Sequence, residues 1–175
     1  MGKFLDGFVA GALVVFVGSF LFLYFGFINP RADTPDNTVN TLFTTPSLDA
    51  AVNRLAPAVW NPIQPDELDL LAGMKIYQSH CSTCHGDVVH QEAVFADALK
   101  PRPKQFLEDR ADLPDNENFY IILHGIRWSG MPSWNHMLTE KQIWQVTTFL
   151  TQMPNLPVQV KRAWKAAASV HRPSL

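Results

Sequence analysis

The sequence predicts an all-α protein that begins with a membrane-spanning helix. Apolar residues recur at helical spacing within residues 66–153, and no stretch alternates polar and apolar residues as a half-buried strand does. The stretch Gly7–Ile28 contains 22 residues without a charge. As a helix it would be about 33 Å long, which is enough for a hydrocarbon core of about 30 Å.

The N-terminal apolar stretch is predicted to be an uncleaved anchor over residues 1–29. A buried core helix and a secretory signal are the alternatives. A signal has a shorter apolar run, about 7–15 residues, followed by a small-residue cleavage site, and the sequence NPRADTP behind this stretch has no such site. Lys3 and Arg31 nearly balance, so the positive-inside rule does not orient the helix.

Residues 30–65 are predicted to form a Pro-rich extended linker. The segment from 29 to 65 holds six prolines, which exclude one long helix but leave room for a short one around Ser47–Leu55. Its apolar residues are too many for a solvated tether, so we expect it to lie along another protein. The net charge of the chain is −2, which gives no indication of a nucleic-acid surface.

Three helices are predicted within residues 66–153. The first opens at Pro65-Asp66-Glu67, and the second is PDNENFYIILHGI, which ends at its glycine. The third is Leu138–Met153, with Thr139 as its N-cap. Residues 154–175 carry four basic and no acidic side chains and are predicted to form a basic tail, with a short helix followed by coil.

Both cysteines of the chain lie in the sequence HCSTCHG, with His85 directly after Cys84. Four interpretations are open: a disulfide, a redox dithiol, half of a zinc site, or a covalent haem anchor. Zinc usually needs four ligands, and there is no second cysteine pair. A thioredoxin-like dithiol would lie near βαβ sequence, which is absent. C-x-x-C-H is the attachment signature of a c-type haem, in which the Cys81 and Cys84 thiols add to two vinyl groups and His85 faces the iron.

Residues 66–153 resemble the monohaem cytochromes c in three motifs: GMKIYQSHCSTCHG, HGIRWSGMPSW and LTEKQIWQVTTFL. The resemblance implies a small cytochrome c fold, with three or more helices around one covalently attached haem c. It also implies that the first and last helices of the domain cross near Gly73. Tyr77 and Phe149, with Trp144 as a further candidate, are expected to fill that crossing.

The resemblance implies His85 and Met131 as the two axial ligands of the haem iron. Met131 lies in the loop sequence SGMPSW, where the preceding glycine permits a close approach and the following proline stiffens the chain. Met137 and His136, a few residues further on, are the alternatives. The methionines on predicted helices are expected to pack in the core.

The sequence leaves two features of the haem surroundings open. In many relatives a proline carbonyl accepts the Nδ1 proton of the ligating histidine, but Val94 stands roughly at that position, so the acceptor for His85 is not specified. Arg102, Arg127 and Trp128 are candidates for contacts with the haem propionates or the haem edge, because guanidinium and indole groups are donors. Each of the three is equally compatible with a surface position.

A haem with both axial positions filled carries electrons and does not bind a substrate, so we expect an electron-transfer protein and not an enzyme. The expected role is a subunit of a membrane-bound respiratory or redox complex, with other subunits, redox donor and acceptor proteins and lipid as partners. A tethered shuttle between a cytochrome bc complex or dehydrogenase and a terminal oxidase is the alternative. A haem sensor or peroxidase, in which the Met131 bond opens, is a third hypothesis. The resemblance implies a bacterial inner-membrane location, with the haem domain in the periplasm and the N-terminus in the cytoplasm.

Overall fold

The computed structural model describes residues 2–25, 31, 38–90 and 92–170, with the backbone alone for 38–43. Helices and turns account for the regular structure of these residues, and none of them lies in a strand, so the all-α prediction is confirmed. The chain divides into two units, Met1–Ala32 and Asp33–Leu175. The helices are α1 (Gly2–Tyr24), α2 (Thr38–Leu55), α3 (Glu67–His80), α4 (Ser82–His85), α5 (Asp115–His124), α6 (Glu140–Gln152) and α7 (Val158–Val170), with a 3-10 turn at Met153–Asn155.

Among its described residues, the first unit contains α1, whose side chains are all exposed. By length and composition α1 is able to cross a membrane, a property that an N-terminal signal sequence shares. Its 23 residues correspond to about 35 Å of helix. The helix ends at Tyr24, and the predicted end at Ile28 lies outside the described residues.

Helix α2 is longer than the short helix that the sequence predicts around Ser47–Leu55. It begins at Thr38 and continues through Pro46, so residues 38–55 are helical and not extended. Tertiary contacts hold its last turns: Val52 is buried, and Asn53 Nδ2 donates to Glu117 Oε1 of α5 at 3.0 Å. These contacts connect residues far apart in sequence, which local proline content does not reveal.

The segment between α2 and α3 is fastened to the ends of α5 and α6 by Asn61. Its amide nitrogen donates to Asp115 Oδ2 at 2.7 Å and to Thr148 Oγ1 at 2.9 Å, and its carbonyl oxygen accepts from the Ile63 backbone at 2.9 Å. Asn116 additionally donates to the carbonyl of residue 57 at 3.0 Å. The part of the predicted linker after α2 therefore follows the surface of the helical domain.

Helices α3 and α6 cross at Gly73, as the resemblance implies. A Cβ atom at this position would lie 2.7 Å from the carbonyl carbon of Gln145 and 2.9 Å from Phe149 Cβ, closer than ordinary contact. Both helices begin at side-chain caps, because Asp66 accepts from the N–H of residue 69 and Thr139 forms a capping box with Gln142. The caps fix where each helix starts, and the glycine fixes where the two helices meet.

Three aromatic rings fill the crossing, but Trp144 is not among them. Tyr77 and Phe149 lie 5.4 Å apart, as expected, and the third ring is Trp164 of α7, at 5.8 Å from Tyr77 and 5.1 Å from Phe149. Trp144 instead stacks on Phe119 of α5 at 4.0 Å. The predicted basic tail thus forms α7, whose apolar face is part of the core; residues 171–175 lie outside the described residues.

Candidate haem-attachment site

The two cysteines lie on one turn at the end of α3. The backbone carbonyl of Cys81 accepts from the N–H groups of Cys84, at 3.1 Å, and His85, at 3.0 Å, so the motif is wound as a short helix. Both thiols are free and partly buried. The turn thus presents two thiols and an imidazole within five residues.

The thiols of this turn are held in their protonated form. Burial, and then the neighbouring Cys84, raise the pKa of Cys81 to about 12, and burial raises the pKa of Cys84. A redox-active C-x-x-C pair depends on a thiol with a lowered pKa, which is the opposite arrangement. The described residues also contain no group of three or more His, Cys, Asp or Glu side chains able to hold a metal ion. Among the described residues, the raised pKa values of the thiols thus argue against a redox-active pair, and the lack of further ligands argues against a zinc site.

His85 is fixed by contacts on two sides of its ring. Its Nδ1 lies 2.7 Å from the backbone carbonyl of Lys104, and its ring stacks on Phe106 with 4.7 Å between centroids and 19° between planes. With Nδ1 bonded to a carbonyl, Nε2 is the nitrogen left to bind iron. Burial lowers the pKa of His85, partly offset by the hydrogen bond to Lys104, so the ring is neutral near pH 7. A neutral imidazole is the form that binds a metal.

The sequence did not reveal which carbonyl accepts the His85 ring proton, and the structure assigns that role to Lys104. Val94, the position considered on the sequence, is 40% exposed, and its carbonyl does not accept this bond. A backbone carbonyl has no side-chain signature, so it could not be identified from residue types. The prolines of the sequence PRPKQF were the available indication, since they stiffen the segment that carries Lys104.

The residues after His85 are held by side chains of α3. The Tyr77 hydroxyl donates to the carbonyl of Gly86 at 2.7 Å, and Gln78 Nε2 donates to Asp87 Oδ2 at 3.2 Å. Burial alone would raise the pKa of Asp87, but hydrogen bonds from the backbone of His90, from Gln78 and from the backbone of residue 89 outweigh it and hold the pKa below its ordinary value. Sequence analysis did not identify this buried, ionised carboxylate.

Met131 lies on a loop between α5 and α6 and packs, partly buried, against the core. Its N–H donates to Ser129 Oγ at 3.1 Å, and its carbonyl accepts from Ile126 at 3.2 Å. Gly125 has a φ of +67° and adjoins the Pro132 backbone so closely that a side chain would not fit. Met137, one of the alternatives, is 60% exposed. Hydrogen bonds to Ser129 and Ile126 thus fix the backbone of Met131 within the loop.

The three candidates for propionate or haem-edge contacts differ in their surroundings. Arg102 Nε donates to Asp97 Oδ1 at 2.9 Å, so this guanidinium already has a partner. Arg127 is exposed, and Trp128 is 90% exposed with a φ of +65°. Neither side chain of the latter two forms a hydrogen bond or an ion pair with a described residue, and both lie on the loop that carries Met131.

Comparison with known proteins identifies the helical domain. Residues 69–150 match the family model described as cytochrome C oxidase, cbb3-type, subunit III. This segment is a c-type cytochrome domain. The match spans slightly less than half of the chain and ends before α7. No curated protein matches the chain significantly. The c-type cytochrome family implies covalently bound haem c and electron transfer, and the paired free thiols with a preset neutral histidine fit that group.

Proposed function

We propose that this c-type cytochrome is a membrane-anchored, monohaem electron carrier that works as a subunit of a membrane-bound redox complex related to cbb3-type oxidases. The observation that carries the proposal is the histidine geometry. His85 directly follows two free thiols, and Lys104 commits its Nδ1, which leaves Nε2 available to bind iron. Bound haem c supplies a metal centre that accepts and releases one electron.

The residues of the chain hold this group in three ways. Cys81 and Cys84 would anchor it through thioether bonds, and His85 and Met131 would supply the two ligands of its iron. The Lys104 carbonyl and the Phe106 ring keep the plane of His85 constant. With His85 and Met131 as ligands, the bound group would have no open position for a substrate, so the domain would transfer electrons and catalyse no reaction of its own.

The fixed-subunit role is favoured over the shuttle role by the way the linker is held. A mobile tether needs a free linker, but Asn53 and Asn61 are hydrogen-bonded to α5 and α6, and Val52 is buried. The same segment leaves Leu55, Val59 and Trp60 exposed by 50%, 48% and 95%. A rigid segment with an exposed tryptophan suits contact with a neighbouring subunit, since tryptophan is enriched where such contacts are strongest. The anchor α1 and the basic face of α7 are the other proposed contacts with partner subunits and lipid.

The orientation of the anchor follows from the proposed cofactor. Covalent attachment of haem c belongs to the bacterial periplasm, so the haem domain lies on that side of the inner membrane and the N-terminus in the cytoplasm. Labelling of intact and opened cells with a membrane-impermeant amine reagent tests it, because Lys75 and Lys161 are exposed on the domain.

Visible spectra of the full chain, purified in mild detergent, test the cofactor and its ligands. We expect a low-spin c-type spectrum on reduction that carbon monoxide leaves unchanged. Met131→Ala opens the sixth position, so the reduced form then binds carbon monoxide. Met137→Ala, a substitution of the exposed methionine six residues further on, is the matched control and retains the unchanged spectrum. Carbon monoxide binding by the unsubstituted protein would support the sensor or peroxidase hypothesis instead, and a chain without covalent haem would refute the proposal.

Co-purification tests the complex. After mild extraction the fixed-subunit proposal predicts that other redox subunits remain bound, whereas a shuttle is recovered alone. Trp60→Ala is expected to weaken this association without changing the haem spectrum. Trp128→Ala removes a tryptophan of similar exposure on the Met131 loop. Loss of association with Trp128→Ala alone would place the contact at the haem edge and not at the linker.

A further inference from the structure

Helix α7 lies outside the matched segment, yet one of its side chains is hydrogen-bonded to a residue of α3 that contacts the cysteine motif. Trp164 is 2% exposed, and its Nε1–H donates to Gln78 Oε1 of α3 at 2.9 Å. Val160 and Ala168, one turn before and one turn after it, are fully buried on the same face of α7. Two of these three positions serve packing alone, whereas Trp164 also makes a polar contact inside the core.

Gln78 extends this contact to both sides of His85. Its Nε2 donates to Ser82 Oγ at 3.3 Å and to Asp87 Oδ2 at 3.2 Å. Ser82 lies between the two cysteines, and Asp87 is the second residue after His85. Asp87 Oδ1 in turn accepts from the N–H groups of residues 89 and 90 at 2.8 and 2.7 Å. A single buried amide thus joins the attachment turn to the loop that leaves it.

The tryptophan determines which way this amide faces. An indole N–H only donates, so the carbonyl oxygen of Gln78 must face Trp164 and its NH2 group must face the carboxylate. The reversed amide would leave the indole N–H unpaired and set two oxygens against each other, and both arrangements are unfavourable in a buried site. A phenylalanine at position 164 would keep an aromatic ring beside Tyr77 and Phe149 but would no longer determine the orientation of the Gln78 amide.

We propose that Trp164 is a positioning residue for the haem-attachment turn: through Gln78 it fixes Ser82 and Asp87 on either side of His85 and so helps set the reduction potential. This inference rests on the proposed haem function. The N–H of Gln78 spreads the negative charge of Asp87, and loss of that bond concentrates the charge beside the iron ligand. Concentrated negative charge favours the ferric state, because hydrogen bonds and charges around the ligands tune the potential.

The test compares three variants of the full, matured chain. Gln78→Met removes the amide while keeping the length of the side chain. Trp164→Phe removes the indole donor together with part of the buried ring system. Val160→Ala removes packing from the same helix without touching the network, so it shows what lost packing alone does. Two quantities are measured below the unfolding temperature: the reduction potential by spectroelectrochemistry, and hydrogen exchange at the amides of residues 89 and 90.

In Gln78→Met the ferric-to-ferrous ratio at a given potential is expected to rise about threefold, or roughly 30 mV for one electron. Trp164→Phe is expected to shift the potential in the same direction by less, and both variants are expected to exchange the two amides faster. Val160→Ala is expected to lower Tm and leave both readouts at the wild-type values, since it alters packing only.

Unchanged potential and exchange in Trp164→Phe and Gln78→Met, with a lower Tm as in Val160→Ala, would overturn the inference and leave Trp164 with a packing role alone. Equal changes of the reduction potential and of the exchange rates in all three variants would overturn the inference as well. If Trp164→Phe does not mature, the comparison of Gln78→Met with Val160→Ala decides. If the unsubstituted chain holds no covalent haem, the proposed function fails, and the exchange rates alone report whether Trp164 positions the turn.

Discussion

Replacement of Gly73 by alanine tests the crossing of α3 and α6 directly. The added Cβ would lie 2.7 Å from the carbonyl carbon of Gln145 and 2.9 Å from Phe149 Cβ, whereas ordinary contact begins at 3.4 Å. The carbonyl oxygen of Gln145 would lie closer still, so the helices must separate by roughly one ångström, because the backbone of Gln145 cannot rotate away as a side chain can. That separation loosens the contacts of Tyr77 and Phe149, both of which are fully buried.

The expected loss follows from two opposing effects of Gly73→Ala. Overpacking of a well-packed core costs about 1–3 kcal/mol, and alanine returns up to about 1 kcal/mol because it favours the helix more than glycine does. Since a backbone clash lies at the upper end of the first range, we expect the free energy of unfolding to fall by about 2 kcal/mol. For a domain of this size that corresponds to a Tm lower by roughly 6–10 °C.

Thermal unfolding of the purified chain, followed by far-UV circular dichroism, measures this loss. Gly18→Ala is the matched control, since a Cβ there meets no atom within 4 Å, and its Tm is expected to equal that of the unsubstituted chain. A Gly73→Ala protein with unchanged Tm would refute the close crossing. A large fall in Gly18→Ala would mean that the measured transition reports something other than the packing of the domain.

Three further predictions concern single polar side chains. Asn61→Ala removes three hydrogen bonds and is expected to lower the free energy of unfolding by about 1–3 kcal/mol and to speed proteolysis within residues 56–65; an unchanged cleavage rate, with Gln64→Ala as control, would contradict the fastened linker. Thr139→Ala removes the cap of α6 at a cost of about 1 kcal/mol, which urea unfolding measures, while Thr139→Ser is expected to retain the cap; equal losses in both would argue against capping. Asp87→Asn tests the buried carboxylate. Because the folded-state pKa of Asp87 is depressed below the ordinary value of 3.8, its ionised form stabilises the fold above that pH, and this contribution is lost as the pH falls through the folded pKa. Asp87→Asn should therefore lower the urea midpoint at pH 7, and the difference from the unsubstituted chain should narrow in acid; a constant difference at every pH would contradict the depressed pKa.

Several features of the molecule could be predicted because they depend on residues near one another in sequence. Helix starts at Asp66 and Thr139 require only a capping side chain and the next few residues. The cysteine motif is similarly local, since its turn places two thiols and a histidine within five residues. The axial-ligand role of Met131 and the propionate contacts of Arg102, Arg127 and Trp128 stay predictions.

Other features required the tertiary structure because they join distant parts of the chain. Pro46 argued for an extended linker, but contacts of Val52 and Asn53 with the domain hold a helix there. Trp144 and Trp164 both follow the motif on helical segments, and residue type does not indicate which of them enters the crossing.

The sequence by itself determined the helical class and the apolar N-terminal helix, since each is a local pattern of residue types, and it predicted the residues that would bind haem in the proposed function. Only the tertiary structure decided that Lys104 accepts the His85 ring proton and that Trp164 reaches Asp87 through Gln78. The physical reason is the nature of these contacts. Every residue carries the same backbone carbonyl, so residue type does not show which carbonyl accepts a bond. A buried side-chain amide binds whichever polar groups the fold brings next to it, and these are often distant in sequence. Neither contact therefore leaves a pattern in the sequence.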